Sequence, residues 1–320
     1  MKPPETHRTG ATAEAGADHG PAPAVLFAYK RADHLRRTVE SLLGNAEAPA
    51  TLLYVYCDGA RTAADQDAVD EVRAFVTGIH GFAEVRPVFR SRNIGLAQSI
   101  ISGVSEVLGR HERVIVLEDD LVLSPRFLRY MNDGLDCYAA DPKVASIHGY
   151  CYPTGAVLPE TFFLRGADCW GWATWARAWR HFEADGRQLL QRLTARRLNR
   201  AFDLDGSYPY TAMLEDQVAA RNDSWAIRWH ASCFLADMLT LYPGRSLVEN
   251  IGNDASGTHC SATSAYSQDA LDAQVEVARI PLVESVEARR AFMRFFRDRR
   301  SVPIASRAAR VLKRLYQRVA

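Results

Sequence analysis

Apolar and polar positions along the first 140 residues follow two periods in turn. Ala24-Val25-Leu26-Phe27-Ala28-Tyr29 is an apolar run closed by Lys30-Arg31, the length and composition of a buried strand. Leu35, Val39, Leu42 and Leu43 then recur as one helical stripe, ended by Gly44-Asn45. The pair of signals repeats: strand Leu52-Leu53-Tyr54-Val55-Tyr56 stops at Cys57-Asp58-Gly59, and a helix over 65–77 turns Val69, Val72 and Val76 inward. A strand over 84–89 and a helix over 95–108, with Leu96, Ile100, Val104 and Val107 or Leu108 inward, lead to Val114-Ile115-Val116-Leu117. Four strands with three intervening helices predict an α/β fold with a doubly wound, Rossmann-like, mostly parallel sheet flanked by helices. Right-handed crossovers cover both faces of such a sheet, and ligands gather at the carboxyl ends of its strands.

Beyond this, Ser124-Pro125 offers a cap and a first helical residue for a helix over 126–138. After Asp141-Pro142 the alternation fades into strand-like 143–148 and 161–165, predicting a mixed half that builds the second wall of a cleft. All six tryptophans lie between Trp170 and Trp229, denser than core filling alone requires. Trp172, Trp175 and Trp179 stand at helical spacing and predict a packed helix face. Trp170 and Gly171, ahead of that helix, are the pair placed to meet a ligand. The expected organisation is a loose tail over 1–20, one domain over 21–270 with halves at 21–141 and 142–270, and a basic amphipathic helical tail over 271–320.

A net charge of +1 supplies no field for nucleic acid, and 48% hydrophobic with 24% charged residues is ordinary for a globular chain. Six cysteines without a Cys-x-x-Cys pair exclude a zinc ribbon and a disulfide framework and fit a reducing cytoplasm. The polar, Gly-, Ala- and Glu-rich start does not read as a signal segment, and no apolar run is long enough to span a bilayer. Charge concentrates at the far end, where Arg289, Arg290, Arg294, Arg297, Arg299, Arg300, Arg307, Arg310 and Arg314 interleave with Phe292, Phe295, Phe296, Val311, Leu312 and Leu315. Such a stretch suits peripheral contact with an anionic membrane surface, or a packed helix with a solvated basic face. The oligomeric state is not legible in the sequence.

Chemistry concentrates in Glu118-Asp119-Asp120, three carboxylates at the end of the fourth strand. Carboxylate oxygens suit Mg2+ or Mn2+, hard ions that take remaining ligands from substrate phosphates, so the triplet points to an enzyme handling a diphosphate. Helix capping is the competing role, and Ser124-Pro125 already fills it. Ala28, Tyr29 and Arg31 after the first strand, Asp58 after the second, and Arg92-Asn93-Ile94-Gly95 lie where a nucleotide would rest; for Asp58 a plain turn role competes. Asp216, beside Glu215, is a candidate base for an acceptor hydroxyl, or else an exposed acid paired with Arg221. The loop over 250–260 carries Gly252, Ser256, Gly257 and His259, suited to closing on a diphosphate, with His259 completing a metal shell or donating to the leaving group. His148, in a strand pattern, belongs to the core.

Assembled in this order over roughly 22–260, the pattern resembles inverting glycosyltransferases of the GT-A fold. The likeness is to family-2-like bacterial enzymes and to the N-acetylglucosaminyltransferase I group, whose metal motif is Glu-Asp-Asp. The resemblance implies Asp120 as ligand of Mn2+ or Mg2+, with Glu118 and Asp119 nearer the ribose and the ion's waters. It further implies His259 as second metal ligand, Asp58 at uracil, 169–174 as the loop ahead of the base motif, and Glu215-Asp216 as that motif. The implied reaction moves a hexosyl or N-acetylhexosaminyl group from a nucleotide diphosphate sugar, UDP-linked, to a saccharide or lipid-linked saccharide by a single inverting displacement. A nucleotidyltransferase is the alternative enzyme, although 28–31 lacks the glycines of its phosphate loop; a non-catalytic carbohydrate-binding protein is the alternative outside enzymes.

Overall fold

An eight-stranded mixed sheet forms the spine of the computed structural model, which describes residues 20–252, 254, 266 and 271–300. Its first half alternates as the sequence predicts: β1 (Ala24–Ala28), α1 (Ala32–Leu43), β2 (Leu52–Cys57), α2 (Gln66–Thr77), β3 (Glu84–Phe89), α3 (Leu96–Leu108) and β4 (Arg113–Glu118). Next come β5 (Leu121–Leu123), α4 (Phe127–Cys137), β6 (Val144–His148), β7 (Thr161–Arg165), β8 (Trp172–Trp175) and α5 (Ala176–Trp179). The chain continues through α6 (Gly186–Ala195), α7 (Asn199–Phe202), α8 (Tyr210–Val218), α9 (Trp225–Leu235), β9 (Leu239–Pro243), β10 (Val248–Asn250) and α10 (Val286–Arg300).

The strand order is β3-β2-β1-β4-β8-β6-β9-β7, parallel through the first four and mixed thereafter, with β8 antiparallel to both β4 and β6. This is the expected α/β architecture. Covered on both faces, β1 and β4 bury Val25, Leu26, Ile115 and Val116 completely or nearly so, each contributing about 1.5–3 kcal/mol. The edge strand β3 contains Pro87, which an outer strand tolerates because one side of its ladder is free.

Several local expectations shift. Leu43 and Leu96 point outward, at 37% and 46% exposure. On α1 the inward stripe is Leu35, Thr38, Val39 and Leu42, and the Thr38 hydroxyl donates to the Asp119 carbonyl at 2.8 Å, tying the helix to the acidic triplet. The tryptophan segment is a strand, not a helix, through Trp175. In a strand, residues three apart face opposite ways: Trp172 joins Trp179, Trp225 and Trp229 in one ring cluster, while Trp175 lies across the sheet and donates to the Leu135 carbonyl. Core filling therefore accounts for five of the six tryptophans, which are buried, and Trp170 alone is half-exposed.

Residues 271–300 pack on the domain rather than trailing from it. Ser285 N–H donates to the Phe163 carbonyl at 2.8 Å. Phe292, Phe295 and Phe296 of α10 bury against Phe162, Leu164 and Tyr242, so the apolar face of this helix is spent on the fold, and Arg294 and Arg297 face out. Among the described residues no helix is long and apolar enough to cross a membrane. Residues 1–19 and 301–320, with Arg307, Arg310 and Arg314, lie outside the described residues.

Candidate active site

Where the strand order turns back between β1 and β4, a crevice opens at the carboxyl ends of both strands, the place where open α/β sheets hold ligands. Phe27 is in register with Glu118, so the residues leaving β1 face the acidic triplet. Arg31 Nη2 donates to Asp119 Oδ1 and, at 2.8 Å, to Asp120 Oδ2. One guanidinium therefore bonds two of the three carboxylates, in a corner where Asp119 and Asp120 are buried. Burial, reinforced by the neighbouring acids, pushes Glu118 up to about 8 and Asp119 up to about 6. Against the cost of burial, Asp119 and Asp120 hold Arg31 charged far beyond its ordinary range. Its Nη1 is buried with no hydrogen-bond partner among the described residues.

This donor set fits a hard divalent cation with a diphosphate: surplus carboxylate oxygen for the ion, an unsatisfied guanidinium N–H for a phosphate oxygen. Among the described residues no group of three or more His, Cys, Asp or Glu side chains is arranged to hold a metal ion by itself. Ions of this kind are held by one or two carboxylates and complete their shell with waters and substrate phosphates.

Two short strands that the sequence did not reveal bring a second segment to the corner. Pairing of β5 with β10 ends in a bond from Ile251 N–H to the Asp120 carbonyl at 2.9 Å. Gly252 follows, and a Cβ there would overlap Asp120 Oδ2, so only glycine lets this backbone lie on the carboxylate. His34 Nε2 stands 3.2 Å from Asp254 Oδ2, joining α1 to the same loop. His259 lies outside the described residues, as do Ser256 and Gly257.

On the other side of β1, Asp58 is buried and works as a clamp. Its carboxylate accepts from the N–H groups of Gly59, Ile94 and Gly95 at 2.9–3.1 Å, and Asn93 Nδ2 donates to the Gly59 carbonyl at 2.9 Å. Ala28 accepts from the Asp58 N–H at 3.0 Å, the Tyr29 hydroxyl accepts from Arg61 N–H at 3.0 Å, and Arg92 is exposed on the rim. The structure thus gathers Ala28, Tyr29, Arg31, Asp58, Arg92 and Asn93 along one edge of the sheet.

The opposite wall descends from β8. Trp172 is opposite Val116 in an antiparallel pair, so the residues entering β8 emerge where β4 ends in its acids. Trp170 and Gly171 consequently precede a strand, and the helix N-terminus expected beside them does not exist. Gly171, at φ +65°, accepts from Gly149 N–H at 2.7 Å, and the Trp170 ring lies 4.8 Å from Tyr150 and 5.6 Å from Tyr266.

Asp168, which the sequence reading passed over, sits deeper in this wall. It accepts from the Tyr152 hydroxyl at 3.2 Å and from Cys169 N–H at 3.0 Å, and burial pushes it up to about 6. The Cys169 thiol, raised mostly by burial, also feels Asp168, Glu118 and Asp120. His148 is fully buried 3.9 Å from Asp168, and burial drives it down to about 3. The available signal was an acid directly before the tryptophan motif.

Glu215 and Asp216 lie on α8. Glu215 is exposed, and Asp216 accepts from Arg221 Nε at 2.7 Å, the surface ion pair that competed with the base assignment. Among the described residues no hydrogen bond or ion pair joins either acid to the triplet.

Residues 21–151 match the family model described as glycosyltransferase like family 2. The matched segment contains Arg31, Asp58 and the triplet. No curated protein matches the chain. Among solved structures, a mannosyltransferase from Pyrobaculum calidifontis in complex with GDP-Man and Mn2+ is 13% identical, covering 69% of this chain and 70% of its own, with a TM-score of 0.36. A cytidylyltransferase from Leptospira borgpetersenii is 14% identical over 51% of this chain and 64% of its own, TM-score 0.33. Glucosyl-3-phosphoglycerate synthase from Mycobacterium tuberculosis, in complex with Mn2+, UDP and glucosyl-3-phosphoglycerate, is 13% identical over 56% and 67%, TM-score 0.33. Overlaps this loose carry no assignment of substrate or reaction.

Proposed function

We propose that the protein is a glycosyltransferase that takes a sugar from a nucleotide diphosphate sugar, UDP-linked, and passes it to a hydroxyl of a saccharide or lipid-linked saccharide with inversion. The observation that carries this reading is the corner at the switch point, where Arg31 meets Asp119 and Asp120 with both carboxylate and guanidinium capacity left over. The match of 21–151 to a glycosyltransferase family supports it. Asp120 would hold Mn2+ or Mg2+, with Asp119 and Glu118 nearer the ribose and the ion's waters and with His259 as a further ligand. When bound, the ion supplies positive charge beside the departing diphosphate. Arg31 binds and orients a diphosphate oxygen through Nη1. The edge formed by Asp58, Arg92 and Asn93 seats the nucleoside, and Trp170 offers a ring face to a sugar.

The test is calorimetric titration with UDP-glucose, UDP-N-acetylglucosamine and GDP-mannose, each with Mn2+ or EDTA. One donor should bind with Mn2+ alone, and Asp120→Asn should weaken it roughly tenfold or more. Binding of nucleoside triphosphates only, or of no nucleotide sugar, overturns the reading.

A further inference from the structure

A single displacement needs a carboxylate within reach of the acceptor hydroxyl. Most acids on this side of the molecule are neutralised by arginine: Asp216 by Arg221, Asp223 by Arg228, Asp205 by Arg289 and Asp237 by Arg165. Asp168 differs. No arginine or lysine among the described residues pairs with it, and its side chain is enclosed to 20% exposure. Burying a carboxylate without a cation costs free energy and calls for a reason.

The reason lies in its position. The strand register carries 168–171 to the edge where β4 ends in the triplet, and Cys169, next in the chain, feels both Glu118 and Asp120. The Tyr152 and Tyr242 hydroxyls and Cys169 N–H orient the carboxylate, which keeps acceptor capacity beyond these three donors. Beside it stand Tyr152 and Trp170, ring centroids 6.5 Å apart and planes 43° apart, with Tyr152 packed against Phe292 and Phe296 of α10.

We infer that Asp168 is the catalytic base, receiving the proton of the acceptor hydroxyl, a conclusion that rests on the glycosyltransferase reading. In that step the acceptor oxygen forms its bond to the anomeric carbon, and the bond from that carbon to the diphosphate oxygen breaks. The electron pair leaves on the diphosphate, and the proton moves to Asp168 and then to water. The ionisable groups facing Asp168 are Tyr152, Tyr242, Tyr210, Cys169 and His148, none of them a cation at neutral pH. A value lifted by burial to about 6 suits a base working near neutrality.

Asp168→Asn keeps the shape and an acceptor for Tyr152. With Mn2+ and UDP-glucose, UDP-N-acetylglucosamine or GDP-mannose, nucleotide release to water should fall about 100-fold or more, with donor Kd unchanged within about threefold. Asp216→Asn should retain release within about tenfold, and the wild-type rate should climb with pH through about 6. Near-normal release by Asp168→Asn, or a 100-fold loss in Asp216→Asn, overturns the base assignment and leaves the glycosyltransferase reading standing. A wild type that binds a donor yet releases no nucleotide also overturns it, because a base at that carbon would activate water. Should Asp168→Asn lose donor binding, the inference is overturned, because the residue then serves the donor and not the acceptor hydroxyl. A wild type that binds none of the donors removes the reading and the inference together.

Discussion

Arg31 acts as the internal counter-ion of a site with too many carboxylates. The contact of Gly252 with Asp120 is the most exacting in that corner: Gly252→Ala would push the carboxylate from its place, and Mn2+-dependent donor affinity should drop roughly tenfold or more by calorimetry. His148 makes a separate prediction. Held at about 3 when folded and at its ordinary 6.5 when unfolded, it binds more protons in the unfolded state between those values, so its contribution to stability is lost as pH falls through that window. Asp168 and Asp119, raised rather than lowered, act in the opposite sense, so the difference between proteins is the useful quantity. Denaturant melts at pH 7 and pH 4.5 should show the wild type losing at least about 1.4 kcal/mol more than His148→Leu; equal losses would refute the assignment.

At the scale of elements, period decided what could be read in advance. The βα repeats from β1 to β4 were legible because each strand is an apolar run and each helix a 3.6-residue stripe, with boundaries moving by a residue or so. The tryptophan motif misled because spacings of three and four fit a helix surface as well as a strand joined to a turn. Neither β5 nor β10 announces itself: three residues each are too short for any period, and they exist because they pair across 125 positions. Helix α10 was legible as amphipathic, but its partner was not, since a Phe-rich face is equally suited to a bilayer or to a neighbouring sheet. Its burial predicts that Phe292→Ala costs about 3–5 kcal/mol in denaturant unfolding, whereas Arg297→Gln at the exposed face stays within about 0.5 kcal/mol.

For the molecule as a whole, the sheet divides the labour: a parallel half presents the charged corner, and a mixed half leans an aromatic wall over it. The first was readable from local alternation, and with it Arg31 and the triplet. The second depends on long-range pairing, which is why the enclosure of Asp168 was not legible, while Asp216, conspicuous in the sequence, is paired with Arg221 on the surface. Because a ligand that binds only the folded chain stabilises it by mass action, Mn2+ with a saturating donor at a hundredfold its Kd should add about 2.7 kcal/mol in melts, and EDTA should abolish the gain. The rings of Phe292 and Phe296 lie 5.1 and 4.9 Å from Tyr152, the residue that orients Asp168. Because a chain is made from its N-terminus, the parallel half of the sheet can assemble early, whereas the aromatic packing around Tyr152 is completed only once α10 has been made.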